Sequence, residues 1–135
     1  MTAAHAAQVA PTPAAHFTLQ AAYEAAPHEL MELLERAPDS VFVVDIQDPG
    51  IFEAAHIPGA RNIHLEDLCT ACAELPKDRT IVIYCGDAAC GLPLWAALEL
   101  AQDGFSAKFL HGGLAAWVKE DLPVEISPPP PPPEY

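Results

Sequence analysis

The sequence predicts an α/β fold on a parallel sheet, and three observations predict it. Strand-like and helix-like patterns alternate along the middle of the chain, the arrangement of strands joined by covering helices. The strand-like runs Val41-Phe42-Val43-Val44 and Ile81-Val82-Ile83-Tyr84 are apolar throughout, as strands buried on both faces are. The 135-residue chain, less two ends without periodicity, leaves one domain of about 110 residues, enough for one core but not two.

The elements follow in order. Pro27 to Arg36 reads as an amphipathic helix with Leu30, Leu33 and Leu34 on one side, and Val41 to Asp45 as a buried strand ending in an acid. Ile51 to Ala55 is a single helical turn, and Gly59 to Ile63 leads through a turn into a short strand. A helix from about Leu65 to Leu75 carries Cys69 and Cys72, and the strand Thr80 to Tyr84 follows. Leu92 to Gln102 has Leu, Trp and Ala at helical spacing; a turn at Asp103-Gly104, a strand near Ala107 to Leu110 and a helix from Gly113 to Lys119 complete the set. Trp95 and Trp117 fall on apolar helical faces and are expected in the core. Residues 1–16, rich in Ala, Pro and Thr, read as a flexible tail, 17–126 as the domain, and 127–135 as a tail whose run Pro128 to Pro133 favours polyproline II. That run is either a ligand for a proline-binding module or a stiff end.

Composition narrows the function. A hydrophobic content of 51% supports a packed globule, and no apolar stretch approaches the ~20 residues of a membrane span. The N-terminus lacks a basic segment followed by an apolar one, so a soluble, cytoplasmic protein with free thiols is expected. Nineteen acidic residues against six basic ones give a formal net charge of −13, and Arg36, Arg61, Lys77, Arg79, Lys108 and Lys119 are scattered. Neither nucleic acid nor an acidic membrane is expected as a partner.

The chemistry concentrates in Ile81-Val82-Ile83-Tyr84-Cys85-Gly86-Asp87-Ala88-Ala89-Cys90-Gly91, a buried-type strand that delivers a cysteine into a loop of small residues. Cys85 therefore stands at a strand tip facing the start of the next helix, the edge where open α/β sheets bind ligands. A free thiol is only ~3% ionised at pH 7, and the helix start is expected to lower its pKa. The alternative is a buried, inert cysteine.

The residues also spell a family. Asp45 followed by Ile46-Gln47-Asp48-Pro49, the segment Phe52-Glu53-Ala54-Ala55-His56-Ile57-Pro58-Gly59-Ala60-Arg61-Asn62, the loop entered by Tyr84-Cys85, and Gly104-Phe105 through Leu110-His111-Gly112-Gly113-Leu114-Ala115-Ala116-Trp117 to Leu122-Pro123-Val124 are four ordered blocks. From about Pro27 to Glu125 the chain resembles a single-domain rhodanese, a sulfurtransferase. The resemblance implies a five-stranded parallel sheet covered by helices on both faces, Cys85 as the sulfur-carrying nucleophile, and a substrate-binding loop of Gly86, Asp87, Ala88, Ala89, Cys90 and Gly91 whose N–H groups cradle it. In such chemistry a thiolate takes the outer sulfur of a sulfane donor and passes it to a thiol or to cyanide, without a metal or cofactor.

Several positions depart from the family pattern. Gln47 stands where arginine is usual, Ala55 where glycine is, Cys90 where thiosulfate-using members commonly carry a basic residue, and Pro93 where a hydroxyl residue often opens the helix. Thiosulfate is therefore expected to be a poor donor, and a persulfide or thiol donor a better one. Asp87 would oppose a thiolate if it pointed inward, so it is expected to point out. Cys90 is either a resolving thiol or a small loop filler. Cys69 and Cys72 have metal-ligand spacing but no second pair, and are expected to be core or half-buried thiols. His56 is expected to hold a turn, and His111 to be a surface residue near the Cys85 loop. Besides the sulfur carrier, a non-catalytic binding or regulatory module, with a protein partner, and a Cys85/Cys90 redox sensor fit the same residues.

Overall fold

The computed structural model describes residues 22–70 and 74–127; the expected N-terminal tail, the proline run and Cys72 lie outside them. Its centre is one parallel sheet of five strands in the order β1-β5-β4-β2-β3. The strands are β1 (Glu24–Ala25), β2 (Val41–Asp45), β3 (Arg61–Asn62), β4 (Thr80–Tyr84) and β5 (Ser106–Leu110). Helices α1 (Pro27–Arg36), α2 (Pro49–Ala54), α3 (Leu65–Thr70), α4 (Leu92–Gln102) and α5 (Gly113–Lys119) cover it. Among the described residues no helix is long and apolar enough to cross a membrane.

Local chemistry sets the boundaries. Helix α1 opens on Pro27, where a missing N–H costs no helical bond, and closes with Ala37 N–H on the Leu33 carbonyl at 2.8 Å. Pro38 then starts a 3-10 turn, because proline cannot extend the helix. On β4 successive side chains take opposite faces: Ile81 and Ile83 enter a core with Leu68, Ala96, Ala97, Leu100 and Phe105, and Val82 and Tyr84 one with Leu30, Ile57 and Trp117. Helices α3 and α4 thus cover one face, and α1, α2 and α5 the other. Each fully buried aliphatic side chain contributes roughly 1.5–3 kcal/mol.

One strand and one side chain differ from the sequence reading. The strand β1 was not anticipated from the local pattern; its two residues pair with Phe109 and Leu110, and two residues cannot display a period. Helix α3 is described over Leu65–Thr70, and the part of the expected helix at residues 71–73 lies outside the described residues. Trp95 is 57% exposed, whereas Trp117 is fully buried with its Nε1–H donating to the Pro123 carbonyl at 2.7 Å. The reason is the face that α4 presents to the sheet: Pro93, Ala96, Ala97 and Leu100 are the buried positions, which turns Leu92 and Trp95 outward.

Register brings the site together. Asp45 pairs with Tyr84 and Asn62, and Ile83 with Phe109, so β2, β4 and β5 discharge their loops at one edge. Asp45 is completely buried there, and its carboxylate accepts from the Gln47 backbone N–H (2.8 Å) and Gln47 Nε2 (3.2 Å). Asn62 Nδ2 ties this corner down by donating to the carbonyls of Asp45 and Gln47. A buried carboxylate left without such donors would cost several kcal/mol.

Candidate active site

Cys85 is the first residue beyond β4, and the start of α5 fixes how its loop is turned. The Cys85 carbonyl accepts from Leu114 N–H and the Gly86 carbonyl from Ala115 N–H, both at 2.9 Å. These donors belong to the first turn of α5, where no intrahelical acceptor exists. In a trans peptide the C=O and the following N–H point to opposite sides, so the N–H groups of Gly86 and Asp87 are turned away from α5. Gly86 N–H accordingly lies on the side of the Cys85 sulfur and acts to lower the thiol's pKa. The close approach requires Gly113: its φ is +62°, and a Cβ there would stand 2.5 Å from the Cys85 carbonyl oxygen.

The rest of the loop differs from a full ring of inward N–H groups. Asp87 is exposed, and its Oδ1 accepts from Ala89 N–H at 2.9 Å, while Cys90 N–H goes to the Asp87 carbonyl at 3.3 Å. The donors of Ala89 and Cys90 are thus spent inside the loop. Gln47, read from sequence only as a departure from the usual arginine, reaches this loop: its Oε1 lies 3.1 Å from where a Gly86 Cβ would be. Nothing in local sequence signals that contact, because it depends on β2 and β4 being neighbours.

Cys85, Asp87–Gly91, Pro93 and Leu94 form one wall of a cavity of about 170 Å³, and Phe109–Gly113 form the other. No lysine or arginine lines it. His111 does, with its Nδ1 on the Glu24 carboxylate and its backbone N–H on the Ala25 carbonyl. His56 does not: its Nδ1–H donates to the Phe52 carbonyl at 2.9 Å and its ring stacks on Phe52, so it holds the turn as expected. Cys69 sits on α3, away from this loop in sequence, and among the described residues no cluster of three or more His, Cys, Asp or Glu side chains could hold a metal.

The electrostatics overturn one expectation. The Cys85 thiol is pushed up to about 11, not down. Burial is the largest cause, followed by the hydrogen bond with the Cys90 thiol; Gly86 N–H opposes them, and the charges of Cys90 and Asp45 add to the rise. The helix start loses because one N–H donor does not replace the water that burial removes. Beneath the site, burial and the Asp45 carboxylate hold the Tyr84 phenol well above its ordinary range, so it stays protonated, accepting from Ile57 N–H at 3.0 Å. Cys85 and Cys90 are both half-buried free thiols.

A parallel α/β sheet that seats a half-buried cysteine in a loop of small residues at its C-terminal edge defines a class of thiol-bearing domains. The rhodanese-like domain family model matches residues 26–120, and the chain belongs to that family. It is 33% identical over 87 residues to a sulfurtransferase of Allochromatium vinosum, covering 64% of this chain and 79% of that protein. It is 38% identical over 98 residues to an HTH-type transcriptional regulator of Mycobacterium tuberculosis, covering 72% of this chain but only 43% of the regulator's length. The crystal structure of a Bacillus halodurans protein superposes with a TM-score of 0.72 at 32% identity, covering 83% of this chain and 82% of that one.

Proposed function

We propose that this domain is a sulfurtransferase that carries sulfane sulfur as a persulfide on Cys85. The observation that carries this reading is the geometry around that sulfur: a half-buried free thiol at the tip of β4, lining a cavity, with the neighbouring carbonyls held by α5. The Cys85 thiolate attacks the outer sulfur of a donor, the donor's S–S bond breaks, and its remaining half leaves with the electron pair. An acceptor thiolate or cyanide then attacks the outer sulfur of the persulfide and the Cys85 thiolate departs. A cavity without Lys or Arg favours persulfide donors, whose S–S bond the thiolate breaks, over the dianion thiosulfate, and a reducing, cytoplasmic setting would keep the thiol available. Intact mass after incubation with a panel of sulfane donors is expected to show one added sulfur. Cys85→Ser is expected to abolish both the adduct and transfer to cyanide; peptide mapping of the label to Cys69 or Cys72 would overturn the assignment.

Two half-buried free thiols lining one cavity support a second reading, in which Cys90 resolves an oxidised Cys85. Peroxide converts the Cys85 thiolate to a sulfenic acid, and the Cys90 thiolate attacks that sulfur and expels hydroxide, leaving a disulfide. Cys90→Ser is expected to retain sulfur transfer while Cys85 proceeds to sulfinic acid under mild peroxide. If wild type and variant overoxidise equally, by mass, Cys90 only fills the loop.

A further inference from the structure

Trp95 and Leu92 form an apolar ridge that nothing in the described fold covers. They are 57% and 47% exposed and lie three residues apart on α4, hence on the same side of its first turn. Between them in sequence, Pro93 and Leu94 line the Cys85 cavity, so the ridge lies on the same helical turn as part of the cavity wall. A small molecule inside about 170 Å³ makes no use of an indole outside it. A macromolecule that delivers a thiol to Cys85 can rest on it.

Charge decides what kind of macromolecule. Asp87 is exposed at the cavity, Glu24 stands behind His111, no Lys or Arg lines the wall, and the chain carries −13. That field attracts cationic segments and repels both acidic ones and a second copy of this chain. We infer that the Leu92–Trp95 ridge docks a sulfur-acceptor protein whose cysteine lies on a basic segment flanked by apolar residues. This rests on Cys85 being the sulfur carrier. Once docked, the partner's thiolate attacks the outer sulfur of the Cys85 persulfide, the S–S bond breaks, Cys85 leaves as thiolate and the partner departs as the persulfide.

Two peptides test it, one with a cysteine between lysines and leucines, the other with glutamates in place of the lysines. Binding is read on full-length Cys85→Ser protein, where no transfer occurs. Trp117 is fully buried, so a change in tryptophan emission on adding peptide reports Trp95. The basic peptide is expected to bind at least about tenfold more tightly than the acidic one, and the difference to shrink as salt rises. Adding Trp95→Ala, followed by anisotropy of a labelled peptide, is expected to weaken the basic peptide about tenfold. Unchanged Trp117 emission in that variant verifies its fold. With the carrier intact, Trp95→Ala is expected to lower the ratio of kcat/KM for the basic peptide to that for cyanide by a similar factor. Equal binding of both peptides, no effect of Trp95→Ala, or a wild-type dimer in sedimentation that Trp95→Ala dissolves would each overturn the inference. Failure of a persulfide to form on Cys85 would instead overturn the carrier reading, and the binding measurements would still decide the ridge.

Discussion

Two helices start beside Cys85, and they treat their tryptophans and their first turns in opposite ways. Helix α5 spends its free N–H groups on the carbonyls of Cys85 and Gly86, crowds the loop with Gly113, and buries Trp117 completely. Helix α4 contributes Pro93 and Leu94 to the cavity wall and turns Leu92 and Trp95 to the outside. The first builds the site; the second presents it. A helix near a reactive group can therefore act through its carbonyl partners and its packing, and its dipole need not dominate.

The comparison is most easily broken by stability. Trp117→Ala removes a fully buried indole together with its bond to Pro123, and is expected to cost about 3–5 kcal/mol in denaturant unfolding. Trp95→Ala, on the exposed side of α4, is expected to stay within about 0.5 kcal/mol. A comparable loss from the two would mean that α4 packs its tryptophan after all.

The next test asks whether burial or the start of α4 governs the thiol. With its pKa pushed up to about 11, Cys85 is expected to react with iodoacetamide about tenfold faster per pH unit between roughly pH 7 and 10, without levelling off in that range. The same shift has a consequence for stability. The folded thiol keeps its proton to about 11 while the unfolded one loses it near ~8.5, so this contribution is complete below the unfolded value and is lost as pH rises through that window. A reactivity plateau below pH 8 would show that the helix start outweighs burial.

The smallest effect sharpens the role of the loop dipoles. Asp87→Lys places a cation beside a wall that has none and is expected to raise kcat/KM for thiosulfate about tenfold, chiefly through KM. Wild-type protein with a low KM for thiosulfate, and no gain from the substitution, would show that the loop N–H groups hold the anion unaided.

Cavity size would have pointed elsewhere. A larger cavity, about 320 Å³, lies over the N-terminal half of β2 and is lined by Arg61 and Arg79 with Met31, Leu34, Phe42 and Pro58. It has two arginines but no thiol, and the smaller cavity has thiols but no Lys or Arg. The chemistry follows the thiol.

Much of this protein is determined by its sequence alone. The boundaries of α1, β2, β4, α4 and α5 are local matters of apolar period, proline and glycine, and the strand tip at Cys85 follows from them. Only the tertiary structure decides the rest, because those features depend on elements distant in sequence becoming neighbours. The strand β1 exists through its pairing with β5. Helix α4 is apolar on nearly every side, so its period does not say which face is inward, and the sheet chose the alanines over Trp95. The carbonyls of Cys85 and Gly86 are aimed by an α5 that begins more than twenty residues later, and Gln47 meets Gly86 only across the β2–β4 pair. The rise in the Cys85 pKa belongs to the same group: desolvation is a property of the assembled wall, and a sequence carries no record of how much water reaches a thiol.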